Sequence, residues 1–184
     1  MTTGRTWIIA TALAIFMIMT AAMNSGGQTM KLSSKAFPDG GKIPLEYAMP
    51  GAGGDNVSLP LSWTAPPAGT KSLALAIVDT HPVARNWVHW LVINIPAKTT
   101  GLPEGASGGG MPAGAVELRN SFGTQGYGGP QPPPGTGDHS YVVTIYALNV
   151  AKLNLPGHTS LSAFQKALEG KVLASATLTG YFGR

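Results

Sequence analysis

Tyr141-Val142-Val143-Thr144-Ile145-Tyr146-Ala147-Leu148 reads as a β-strand more plainly than any other stretch of the chain. β-branched and aromatic residues dominate it, and no Gly or Pro interrupts it. Two earlier stretches share its character. Lys71 to Val78 mixes alternation with a continuous apolar end, and Val88 to Ile95 is rich in aromatic and β-branched residues. Each predicts a strand with at least one buried face. Downstream, Leu161, Phe164, Ala167 and Leu168 recur at helical spacing. Ser162 stands three residues before Gln165 as a capping box, and Gly170 is placed to stop the helix. Val172 to Phe182 returns to strand character. The fold class is therefore mostly β with one short helix near the C-terminus.

Composition agrees with that class. The chain holds 25 Gly and 15 Pro in 184 residues, and only 11% of residues are charged. A helical bundle would carry more Lys and Glu on its exposed faces. A hydrophobic fraction of 43% excludes a disordered chain. The length suits one domain, read as residues 31–184, behind an export segment. Ser34 to Gly41 is turn-rich and predicts an edge strand and loops, with Pro44 and Pro50 limiting any helix. Gly101 to Gly137 is dominated by Gly and Pro and reads as ordered loops around a site.

The first segment runs from Arg5 through Trp7-Ile8-Ile9 and an apolar stretch to Ala22, then to Asn24, Ser25, Gly26 and Gly27. This basic, apolar, small-residue order is that of a secretory signal peptide over residues 1–23, cleaved after Ala22 or a few residues later. Uncleaved, the same run would serve as a membrane anchor. A periplasmic or secreted location follows. With no cysteine in the chain, neither a disulfide nor a lipid on cysteine is available, so the core must hold the fold unaided. The formal net charge of +4 comes from scattered Lys and Arg without basic runs, which excludes a nucleic-acid-binding surface.

The residues able to do chemistry lie at predicted strand ends: Asp79 after the first strand, His89 within the second, His139 before the third. Singly each is more often a satisfied core or surface group. Together with their neighbours they resemble a known family. Ile77-Val78-Asp79-Thr80-His81-Pro82, Trp87 to Pro96, and Gly135-Thr136-Gly137-Asp138-His139-Ser140-Tyr141 look like the two signature regions of the phosphatidylethanolamine-binding proteins. Asn56 to Trp63, Asn120-Ser121-Phe122-Gly123, Tyr127-Gly128-Gly129-Pro130 and the closing helix are similar to its bacterial, Raf-kinase-inhibitor-like branch.

The resemblance implies a β-sandwich-like fold and a small pocket accepting phosphate, acetate or a phosphorylated head group. It places Asp79, Trp87, His89, His139 and Tyr141 in that pocket, with Pro132 and Pro133 on its rim. Two imidazoles could then donate to anionic oxygens, with Asp79 orienting or charging one of them. The family's usual Asp-Pro-Asp-Ala-Pro is replaced by Asp79-Thr80-His81-Pro82-Val83, so the second acid is missing. His81 is read as a solvated loop residue, the alternative being the pocket mouth.

No catalytic residue, cofactor or metal site is assigned. The Asp79, His89 and His139 trio lacks close-spaced zinc ligands. Gly105-Ala106-Ser107-Gly108-Gly109 matches a nucleophile-elbow pattern but lacks the flanking strand and helix. The competing readings are a modulator of a protein partner, of the kinase- or protease-inhibitor kind, and a phosphoester hydrolase built on Asp79, His89 and His139. Similarity to bacterial relatives also suggests a homodimer.

Overall fold

The computed structural model describes residues 29–184, so the signal peptide predicted over residues 1–23 lies outside the described residues. In chain order the strands are β1 (Leu32–Ser33), β2 (Gly41–Lys42), β3 (Leu61–Trp63), β4 (Ser72–Asp79), β5 (Trp87–Pro96), β6 (Gly101–Leu102), β7 (Val116–Glu117), β8 (His139–Leu148) and β9 (Val172–Phe182). The helix α1 (Leu161–Leu168) lies between β8 and β9, and two single 3-10 turns, Leu45–Tyr47 and Pro50–Ala52, follow β2. Pro44 caps the start of the first turn and Pro50 opens the second, positions at which the missing proline N–H leaves no bond unmade.

Six strands form one sheet in the order β2-β9-β8-β4-β5-β7, and β1-β3-β6 form a second. In the large sheet only the short β2–β9 pair is parallel. Alternation divides each long strand between two cores. Leu73, Leu75 and Ile77 of β4 join Tyr141, Val143 and Ile145 of β8 in the main core, facing Leu61, Trp63 and Leu102 of the small sheet. Ala74 and Ala76 point the other way, where Leu91 and Ile93 meet Phe164 and Leu168 of α1. The result is a β-sandwich-like arrangement with a short helix on its outer side. Small Ala side chains on β4 leave room there for the Phe164 ring, which is fully buried.

The helix start differs from the sequence reading. Ser160, not Ser162, is the cap, and its side chain accepts from the Ala163 N–H at 3.2 Å. Leu161 must begin the helix if Phe164 and Leu168 are to face the sheet, which moves the cap one position upstream of it. Ser162 then lies within the first turn. Ser160→Ala should lower stability by about 1 kcal/mol and Ser162→Ala by well under half that, measured by urea unfolding. Equal losses would restore the capping box. At the other end Gly170 takes φ +69°, the left-handed stop that glycine adopts without a Cβ clash.

Candidate functional site

The main-core face of the large sheet ends in a cavity of about 530 Å³, within the range usual for small-ligand pockets. Register brings its polar floor together. Asp79 pairs across with Tyr141 on β8 and with Trp87 on β5. His139 lies two residues from Tyr141 and therefore on the same face. Strict alternation would not add His89, because Trp90 already faces the main core. A β-bulge does: Ile77 pairs with Trp90 and Val78 with Val88, leaving His89 as the extra residue. His89 and Trp90 thus share a face, and the imidazole turns into the cavity.

Asp79, His89, His139 and Tyr141 are at most 3% exposed. Asp79 is a bonded carboxylate: Oδ2 accepts from His139 Nδ1 at 2.6 Å and Oδ1 accepts from the His81 N–H at 2.9 Å. On the far side of the His139 ring, Nε2 lies 2.9 Å from Thr136 Oγ1, whose own proton goes to the Pro133 carbonyl at 2.7 Å. Both ring nitrogens of His139 are therefore engaged within the protein, Nδ1 by the Asp79 carboxylate and Nε2 by the Thr136 hydroxyl.

His89 is bound differently. Its Nδ1 donates to the Gly128 carbonyl at 2.6 Å, while Nε2 has no protein partner and the ring lines the cavity. Burial holds its pKa below the ordinary imidazole value, against the opposing pull of the Gly128 carbonyl and the Asp79 charge. The neutral ring therefore presents a lone pair at Nε2. The expectation that both imidazoles donate to a ligand is corrected here, since both His139 nitrogens are engaged within the protein and His89 presents an acceptor. The donor on the floor is instead Tyr141. Its hydroxyl is buried beside the Asp79 carboxylate without a well-formed hydrogen bond, and burial, then the Asp79 charge and the pull of that carboxylate on the hydroxyl proton, push its pKa up and keep it protonated.

The walls are apolar and aromatic. Phe122 stands edge-on to Trp87 at 5.3 Å and to His89 at 5.7 Å between ring centroids. Pro132 and Pro133 form the opposite rim, while Trp87 remains 39% exposed at the mouth. All seven residues assigned from the sequence therefore line one cavity. Sequence reading left out Ser121, Phe122, Gln131 and the mouth residues Arg85 and Asn86. The last two carried a signal only in their backbone, φ +52° and +61°, a region side chains other than Gly, Asn and Asp seldom adopt.

His81 also departs from expectation. It is half-buried, and its ring stacks on His139 with centroids 3.9 Å apart and planes 19° off parallel. The hydrogen bond from its backbone to Asp79 holds its ring against His139, so it is packed rather than sitting free in a solvated loop. Ser107 lies outside the cavity. It is held in a turn, donating to Glu117 at 2.5 Å and accepting from the Tyr127 N–H at 2.8 Å. Among the described residues no cluster of three or more His, Cys, Asp or Glu side chains is arranged to hold a metal ion.

Comparison with known proteins agrees with this architecture. The family model described as phosphatidylethanolamine-binding protein matches residues 33–183. The chain is 38% identical over 158 residues to the UPF0098 protein YbhB of Escherichia coli (strain K12), covering 83% of this chain and 99% of that one. It is 41% identical over 156 residues to a UPF0098 protein of Methanothermobacter thermautotrophicus, covering 84% and 99% respectively. The crystal structure of E. coli YbcL, described as a member of the mammalian PEBP family, superposes with a TM-score of 0.80 at 33% identity, over 84% of this chain and 98% of that one. This chain belongs to the phosphatidylethanolamine-binding protein family.

Proposed function

We propose that this protein is an exported binding protein whose pocket captures a small anionic ligand, phosphate or a phosphorylated head group, through Asp79, His89, His139 and Tyr141. The observation that carries the reading is the floor itself. A buried, hydrogen-bonded Asp79–His139 pair, a tyrosine hydroxyl beside the Asp79 carboxylate and an imidazole with one free nitrogen converge on one cavity. Trp87, Pro132 and Pro133 supply the apolar wall around that floor, and Arg85 places a cation at the mouth. Residues 31–184 act as one binding unit, preceded by a signal peptide over residues 1–23.

Members of this family are generally binding proteins rather than enzymes, and binding without turnover is the role assigned to this pocket. The Ser107 turn supports no nucleophile, because its hydroxyl is engaged and outside the cavity. A protein partner outside the cytoplasm is the second reading, favoured by the exposed Val83 and Trp87 beside the pocket.

Calorimetric titration of the mature protein with phosphate tests the first reading. His139→Ala should abolish binding: losing the imidazole leaves the buried Asp79 carboxylate without its partner and facing the incoming anion, and like charges repel strongly where water is excluded. Unchanged affinity in His139→Ala would retire the site assignment. Capture of a protein from a periplasmic extract, lost in the same variant, would favour the second reading.

A further inference from the structure

The hydrogen-bonding roles on the pocket floor narrow the range of phosphorylated groups it can accept. Resting on the anion-pocket reading, we infer that the pocket selects an anion that enters carrying one proton, the monoanion of a phosphate monoester, and discriminates against diesters, which have no P–OH.

Three observations carry this inference. First, the His89 tautomer is fixed from outside the pocket. The Gly128 carbonyl takes the Nδ1 proton at 2.6 Å, so the neutral ring offers the cavity an acceptor and demands a donor from the ligand. Second, Tyr141 supplies the complementary donor, a buried hydroxyl beside the Asp79 carboxylate that makes no well-formed hydrogen bond within the protein. Its ring stands edge-on to His89 with centroids 5.0 Å apart, so both polar ends can serve one group. A phosphate monoanion fits this pair, its P–OH donating to His89 Nε2 and a P–O⁻ accepting from Tyr141. Third, the floor offers no fixed cation. The titratable groups around His89 are Asp79 on β4 and His139 and Tyr141 on β8; Asp79 and His139 are hydrogen-bonded to each other, His81 stacks on His139, and Arg85 lies at the exposed mouth. A second negative charge would find no partner, and an unpaired buried charge is costly.

A dianion can enter only if one proton comes with it, on either the ligand or His89. Binding above the second ionisation of a phosphomonoester, at a pH of about 6, is therefore coupled to uptake of one proton. A diester brings an anionic or bridging oxygen against the His89 lone pair, and it binds only by charging a ring whose burial resists the charge.

The test uses methyl phosphate and dimethyl phosphate with the wild-type mature protein. Calorimetry in buffers of different ionisation enthalpy measures the proton count. Methyl phosphate should take up about one proton per site at pH 7.5, with affinity falling about tenfold per pH unit above about 6. Dimethyl phosphate should bind at least tenfold more weakly at pH 5.5. In His89→Leu, which removes the lone pair, the two ligands should come within about threefold of each other. Tight methyl phosphate binding at pH 7.5 without proton uptake, equal affinities for the two ligands in the wild type, or discrimination retained in His89→Leu would each overturn the inference while leaving the anion pocket standing. No heat with methyl phosphate between pH 5.5 and 8.5 would overturn the pocket reading itself and this inference with it.

Discussion

Asp79→Ala is expected to destabilise the protein by about 3–5 kcal/mol, because two buried hydrogen bonds to a carboxylate are lost, each worth about 1.5–3 kcal/mol. Both carboxylate oxygens are used. One holds the His139 ring and the other holds the chain at His81 over that ring. Without the carboxylate the buried His139 Nδ1 and the His81 N–H are left without their partner. For a chain of this size the loss corresponds to a fall in melting temperature of roughly 6–20 °C. Asp79→Asn should lose less, because an amide oxygen still accepts one of the two bonds. Thermal and urea unfolding of both variants measures this, and a cost below about 1 kcal/mol for Asp79→Ala would mean that the two bonds contribute little to the folded protein.

Gly129→Ala is the second substitution expected to have a large effect, for a steric reason. A Cβ there would lie 2.0 Å from the Tyr47 carbonyl oxygen and 2.8 Å from the Ala48 carbonyl carbon, both backbone atoms that cannot rotate away. Tyr47 O also accepts from the Tyr127 hydroxyl at 2.9 Å, and the Gly129 N–H donates to Asn56 at 2.7 Å, which pins both sides of the contact. The cost should reach or exceed the upper end of the ~1–3 kcal/mol typical of overpacking. Ligand affinity should fall as well, at least tenfold. The segment that must move includes the Gly128 carbonyl that sets the His89 tautomer, and it leads directly into Pro132 and Pro133. Gly157→Ala is the control, since a Cβ there meets nothing within 4 Å. It should change stability by no more than about 0.5 kcal/mol. Similar behaviour of the two variants would show that the Tyr47 contact is not rigid.

The strands and most of the pocket residues were legible in the sequence because both depend on short-range pattern. Alternation and β-branched content marked β4, β5, β8 and β9 to within two residues at each end. The signature resemblance then named all seven residues that line the cavity. The helix was legible for the same reason, and its cap was misplaced because two serines two residues apart satisfy the same local rule. Only the position of Phe164 against the sheet chooses between them.

What the sequence by itself determined is the mostly β architecture, the short helix and the identity of the polar residues at the strand ends. Tertiary structure alone decided what those residues can do. The bulge that turns His89 inward is a register shift between two strands, visible only once Ile77 and Trp90 are paired. Both His139 nitrogens are taken by groups that folding supplies, a carboxylate 60 residues away and the Thr136 hydroxyl. His89, of the same residue type, becomes an acceptor because the Gly128 carbonyl, 39 residues along the chain, takes its other nitrogen. A histidine's role as donor or acceptor is set by its partners, and folding brings these partners together from distant parts of the chain.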